Sequence, residues 1–168
     1  MVTMARAANL LFASLALLSA GVFAQDKKYS GPTPSKPDIP CLLHADNLVE
    51  TESGEAKEEK RKDATAYVTP GAASPARTPM AEPILLLLAE KLQPQRLSLY
   101  RLEVKGGSRE ILFPLPGKKK PQPPRPYRFL ITKLDESLYK IEANETLENG
   151  EYCLSPNDSN QVFCFEVY

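Results

Sequence analysis

The chain has no tryptophan, one histidine and three cysteines in 168 residues. Each shortage removes a class of chemistry. A single histidine, His44, excludes centres built on two, among them HExxH metalloprotease sites and Cys2His2 zinc fingers. Excess charge of one sign is also missing, because 21 basic and 21 acidic residues cancel. Proteins that grip nucleic acids by neutralising phosphates carry a basic excess, so no nucleic-acid partner is expected. No GxSxG elbow and no glycine-rich phosphate loop occurs in the sequence, so nucleophilic-serine and nucleotide chemistry have no recognisable seat. His44 and Asp46 lie close in sequence, yet no third ligand stands at a recognisable spacing. They read as polar residues near a turn. No metal, no cofactor and no catalytic residue is expected.

What is present begins with an export signal. Arg6 is the only charge ahead of the apolar run Leu10–Leu18, and Val22-Phe23-Ala24 fits the small-x-small cleavage rule. That run is shorter than the roughly 20 residues a spanning helix needs. Residues 1–24 therefore read as a signal peptide cleaved after Ala24. The mature chain is expected in the periplasm or outside the cell, with no transmembrane span.

All 16 prolines lie beyond that signal. Residues 25–40 are proline-rich and almost without apolar side chains, the composition of a lead-in or linker. Residues 41–168 read as one domain. Within it, short apolar runs recur about every ten residues between Pro, Gly, Asn and Asp, the rhythm of a β-sandwich or barrel. The expected fold is all-β, an antiparallel sandwich of about 7–9 strands with at most one short helix.

Three hairpins can be placed in register. Gly106-Gly107 suits a tight primed turn, setting Leu102 against Ile111 and Tyr100 against Phe113 on one face. A three-residue loop at Asp135-Glu136-Ser137 sets Ile131 across from Ile141. A turn centred between Asp158 and Ser159 puts Cys153 opposite Cys164. Opposed strand positions stand close enough for a disulfide, and export favours one. The alternative is two small apolar side chains packed under a neighbouring loop. Cys41 is left as a buried thiol, a bridge partner of either other cysteine, or an intermolecular link. Two segments are ambiguous: Ile84–Ala89 reads as a central strand with a short helix as rival, and the polar stretch 51–63 reads as a loop rather than a solvated helix.

Leu147-Glu148-Asn149-Gly150-Glu151-Tyr152, followed by the strand ending Phe163-Cys164-Phe165-Glu166-Val167, resembles the closing strands of immunoglobulin-like domains. The resemblance implies a tyrosine corner at Tyr152, whose hydroxyl would bond back to the preceding turn. Cys153 follows Tyr152 directly, which departs from the antibody spacing. With Leu99–Val104 and Arg109-Glu110-Ile111, residues 65–168 look like uncharacterised exported bacterial proteins with such a sandwich, and that likeness implies no activity.

The strongest compositional anomaly is 117–128. Lys118, Lys119, Lys120, Arg125 and Arg128 stand there among prolines with no acid, a candidate contact for an anionic glycan, lipid headgroup or acidic partner. A solvated loop that discourages edge-to-edge aggregation is the plainer reading. The function expected is an exported, non-catalytic binding or structural module with a protein or glycan partner in the envelope. A carboxylate-based hydrolase and an electrostatic adhesion module using 117–128 are the alternatives.

Overall fold

The structure is a computed structural model that describes residues 29–117 and 122–168. The signal-peptide reading and Lys118, Lys119 and Lys120 lie outside the described residues. In chain order the strands begin with β1 (Cys41–His44), β2 (Asn47–Glu50), β3 (Glu52–Glu55) and β4 (Lys57–Lys60). Next come β5 (Ala64–Pro70), β6 (Arg77–Thr78), β7 (Ile84–Leu88), β8 (Leu97–Lys105) and β9 (Ser108–Pro114). The last are β10 (Phe129–Lys133), β11 (Leu138–Ala143), β12 (Gly150–Pro156) and β13 (Gln161–Val167). Among the described residues the one helical piece is a 3-10 turn at Pro94–Arg96.

The chain is all-β, as its rhythm of short apolar runs requires. Among the described residues there are thirteen strands, more than the expected 7–9. Part of the surplus is the stretch 51–63, which is neither loop nor helix: it supplies β3 and β4. Most of its charged side chains are exposed, with Glu52 turned inward to Arg109, while its backbone completes ladders with β13 and β5. Ile84–Leu88 is the expected central strand. It lies between β11 and β1, with Leu85, Leu86 and Leu87 all buried, which explains why its apolar run is continuous rather than alternating.

A five-stranded sheet runs β10-β11-β7-β1-β2. A larger sheet runs β3-β13-β12-β8-β9-β5-β4, with β6 parallel to the end of β13. The larger sheet curls into a half-barrel because two stretches change partners. β8 pairs with β12 over Leu97–Leu102 and with β9 over Glu103–Lys105. The run 52–60 pairs with β13 through β3 and with β5 through β4, and the Ala56 N–H bonds the Asn160 carbonyl at 2.8 Å in between. Strands that switch partners in this way make the corners of orthogonally packed sheets.

The block β8–β12–β13 is thereby buried on both faces. One face carries Leu97, Leu99, Tyr152, Leu154, Phe163, Phe165 and Val167 against Leu42, Leu85, Leu87 and Ile141 of the five-stranded sheet. The other face carries Leu102, Cys153, Val162 and Cys164 against Ala56, Tyr67 and Ile111. The sequence reading had two layers; the structure has a third, made by β4, β5 and β9.

The proline-rich lead-in is tied down where it is described. The Asp38 carboxylate accepts the backbone N–H groups of Glu90, Lys91 and Leu92 at 2.9–3.0 Å, and the Asp38 N–H bonds the Leu88 carbonyl at 2.8 Å. Burial pushes the Asp38 carboxyl up, but the N–H bonds from Leu92, Lys91 and Glu90 outweigh it and hold the group below its ordinary value.

Candidate functional site

The space between the third layer and the central block is not filled. The hairpin register at Gly106-Gly107 is the expected one, with both glycines at positive φ (59° and 79°) as a primed two-residue turn needs. The ladder nevertheless stops at Glu103↔Glu110. Beyond that pair β8 follows β12 while β9 follows β5, and the two strands splay. The isolated bridge Leu99↔Tyr127 occupies the edge of β8 that β9 has left. Leu102, Ile111, Tyr100 and Phe113, the residues the sequence places on one face, end as walls of the gap rather than as a closed cross-strand pair.

The gap is a cavity of about 880 Å3, within the range of small-molecule sites. Thr65, Tyr67 and Thr69 face it from alternate positions of β5, and Ile111 and Phe113 from β9. Ser98, Tyr100 and Leu102 face it from β8, Cys153 and Ser155 from β12, and Val162 from β13. Phe113 packs edge-to-face on Tyr67 (5.7 Å between centroids) and on Tyr100 (5.6 Å). The mouth is polar and lies between the 157–160 turn and Pro114–Pro116. Among the described residues its charged members are Glu55 and Asp158, and Asp158 is ion-paired with Arg96.

Beyond Thr69, which is opposite Arg109 in register, the barrel is closed by a buried ionic cluster. The Arg109 side chain has no exposed surface. Its two Nη atoms bond both carboxylate oxygens of Glu52 at 2.7 and 2.9 Å, and its Nε and Nη2 bond the carbonyls of Gly71 (3.0 Å) and Pro70 (2.6 Å). Nη1 also reaches Glu151 at 3.4 Å, so all five N–H donors are taken. Burial alone would raise the Glu52 carboxyl, but the Arg109 bonds hold it below its ordinary value. Glu151 goes the other way: burial pushes it up, and the bonds from the Ser74 N–H and Arg109 do not compensate. Neither carboxylate lines the cavity.

Of the residues singled out in the sequence, Cys153 and Cys164 are directly paired and form a disulfide, with Cα atoms 4.0 Å apart. Cys153 stands in the cavity wall. Cys41 is a free, buried thiol. Tyr152 lies on the opposite face of β12, where its hydroxyl donates to the Glu148 carbonyl at 2.8 Å and its ring meets Tyr127 and Phe165. Burial, and then neighbouring Tyr127, push that hydroxyl up to about 12. Arg125 and Arg128 are exposed, and both guanidiniums bond Glu145, whose carboxylate also accepts the Arg128 N–H at 2.7 Å. His44 ends β1, and Asp46 lies in the two-residue turn that leads into β2. Among the described residues, no three His, Cys, Asp or Glu converge as a metal site.

Sequence reasoning missed Arg109, Thr69 and Tyr67. The alternation Thr65-Tyr67-Thr69 was visible, but which face it turns inward depends on the remote closure by β3 and β4. The chain matches no protein-family model, no curated protein and no solved structure.

Proposed function

We propose that this is an exported binding module, without catalytic activity, that holds its ligand in the half-barrel cavity. The observation that carries the reading is the cavity itself: roughly drug-sized, walled by aromatic and aliphatic side chains, polar at the mouth and closed at the far end. Export is supported by the signal-like N-terminus and by the disulfide, which suits an oxidising compartment. Among the described residues no helix is long and apolar enough to cross a membrane. The tyrosine-to-turn bond at Tyr152 supports kinship of the closing strands with immunoglobulin-like sandwiches.

A hydrolase built on paired carboxylates fits less well. Glu52 and Glu151 are bonded to one arginine rather than presented to open space, and only one of them has a raised carboxyl. The test is a thermal-shift screen of a diverse small-molecule set on the disulfide-bonded chain and on Thr65→Trp, which fills the mouth. Compounds that stabilise the native chain and not the variant support the reading. An absence of such compounds, or equal stabilisation of both proteins, refutes it.

A further inference from the structure

We infer that two copies of the chain pair through β10, antiparallel and in a single register, with Ile131 on the two-fold axis and the two five-stranded sheets joined into one. The inference is independent of the cavity. Three observations lead to it.

The open edge comes first. Among the described residues β10 stands at the end of its sheet, with β11 as its one ladder partner. The Asn144 N–H donates to the Arg128 carbonyl at 2.9 Å, and the Leu134 N–H to the Leu138 carbonyl at 2.8 Å. Both bonds continue the β10–β11 register, so the even positions of the strand bond β11. Phe129, Ile131 and Lys133 therefore turn their N–H and C=O groups to the open side. Sheet edges are ordinarily blunted by proline or charge. Here the prolines of the preceding segment end at Pro126, and the one charge within β10 is its last residue, Lys133. Phe129-Leu130-Ile131 is apolar throughout, and Leu130 is 54% exposed.

The second observation is that the edge complements itself. With Ile131 opposite Ile131, Phe129 meets Lys133 on either side of the axis, and each of these pairs can exchange two N–H···O bonds. Leu130 then lies beside Thr132 of the second copy, which covers its exposed side chain. To fill as many bonds, a slip of two residues must use Tyr127 or Asp135. The Tyr127 N–H is already given to the Leu99 carbonyl at 2.8 Å, and the Asp135 N–H to the Leu138 carbonyl at 3.2 Å. One register is left. Third, the strand carries unlike charge at its two ends. Arg125 and Arg128 share the single carboxylate of Glu145, a positive surplus, while Asp135 and Glu136 outnumber Lys133 at the other end. The antiparallel register sets Arg128 one position from Asp135 of the second copy, so unlike ends meet; this two-fold contact closes on itself and stops at two copies.

The experiment uses the disulfide-bonded chain. Its mass is read by analytical ultracentrifugation over a dilution series, and its amide exchange residue by residue at both ends of that series. The expected result is a mass of two chains that falls to one on dilution. In the dimer the Phe129, Ile131 and Lys133 amides should slow, while those of Leu130 and Thr132, bonded to β11, stay protected throughout. Ile131→Pro removes an N–H that β11 does not use, and should leave a folded monomer. Leu130→Lys alters an exposed side chain outside both cores and should weaken association by about 2–30-fold, so the test stands even where Ile131→Pro unfolds. One chain's mass at every concentration overturns the inference. So does a dimer whose Phe129, Ile131 and Lys133 amides exchange as fast as in the monomer, or one that Leu130→Lys leaves as strong as before.

Discussion

A guanidinium with no exposed surface is tolerable only when each of its donors is met, and Arg109 meets that condition by bonding the carbonyls of Pro70, the last residue of β5, and of Gly71 after it, and two carboxylates from β3 and β12. These groups come from three different parts of the curl, so the side chain fixes the end of the half-barrel where the strands converge. Arg109→Ala leaves the carboxylates of Glu52 and Glu151 without their cation. It should cost about 3–5 kcal/mol in urea unfolding, and Arg109→Lys should recover only part of that, because an ammonium cannot reproduce the fork of five donors. Cys41 offers a second test at this scale. Burial, and then the charge of Glu50, push its thiol up to about 11, and the group is 3% exposed. A thiolate is the reactive form. Native protein at pH 8 should therefore take up no iodoacetamide, unfolded protein one equivalent, and unfolded, reduced protein three, read by mass. Modification of the native chain would show that Cys41 is reached without unfolding.

Elements differ in how much of them local sequence decides. The three-residue loop at Asp135-Glu136-Ser137 sets Ile131 opposite Ile141, and the 156–160 turn sets Cys153 opposite Cys164, because turn length fixes register without help from elsewhere. β3 and β4 have no such signal. Lys57-Glu58-Glu59-Lys60 has no apolar face to announce a strand, and its extended form is imposed by the free edges of β13 and β5. The splay of β8 from β9 is equally remote in origin, so the walls of the cavity were legible as a shared face while the cavity was not. The segment 125–128 behaves as an element anchored at one point. The Arg125 guanidinium, followed by the Arg128 N–H, holds the Glu145 carboxyl at about 2, against an ordinary 4.5. A carboxylate depressed in the folded state stabilises fully above its unfolded value and loses that contribution as pH falls through the folded one. The clasp should hold above pH 4.5 and open as pH approaches 2, seen as faster exchange of the Arg128 amide. Glu145→Gln should produce the same loosening at neutral pH. A pH-independent Arg128 amide would show that the segment is held by other contacts.

At the scale of the whole molecule, the decisive feature is that β8, β12 and β13 serve two cores at once. Removing the five-stranded sheet strips Tyr152, Phe163 and Phe165 of their cover, and removing β4, β5 and β9 strips Leu102, Val162 and the disulfide. Neither core has a strand block of its own, so neither should survive the loss of the other. Leu85→Ala in the main core opens a void among fully buried side chains and should cost about 2–5 kcal/mol. Phe113→Ala removes a half-buried ring that already borders open space, so it should cost less than the roughly 3–5 kcal/mol of a fully buried phenylalanine. Both losses should lower one shared transition, with circular dichroism and tyrosine fluorescence coinciding in each variant, since tyrosines report from both sides of the block. Two separated transitions in Phe113→Ala would mean that the third layer melts alone, and that the cavity opens by detachment of that layer while the two sheets packed beneath it stay folded.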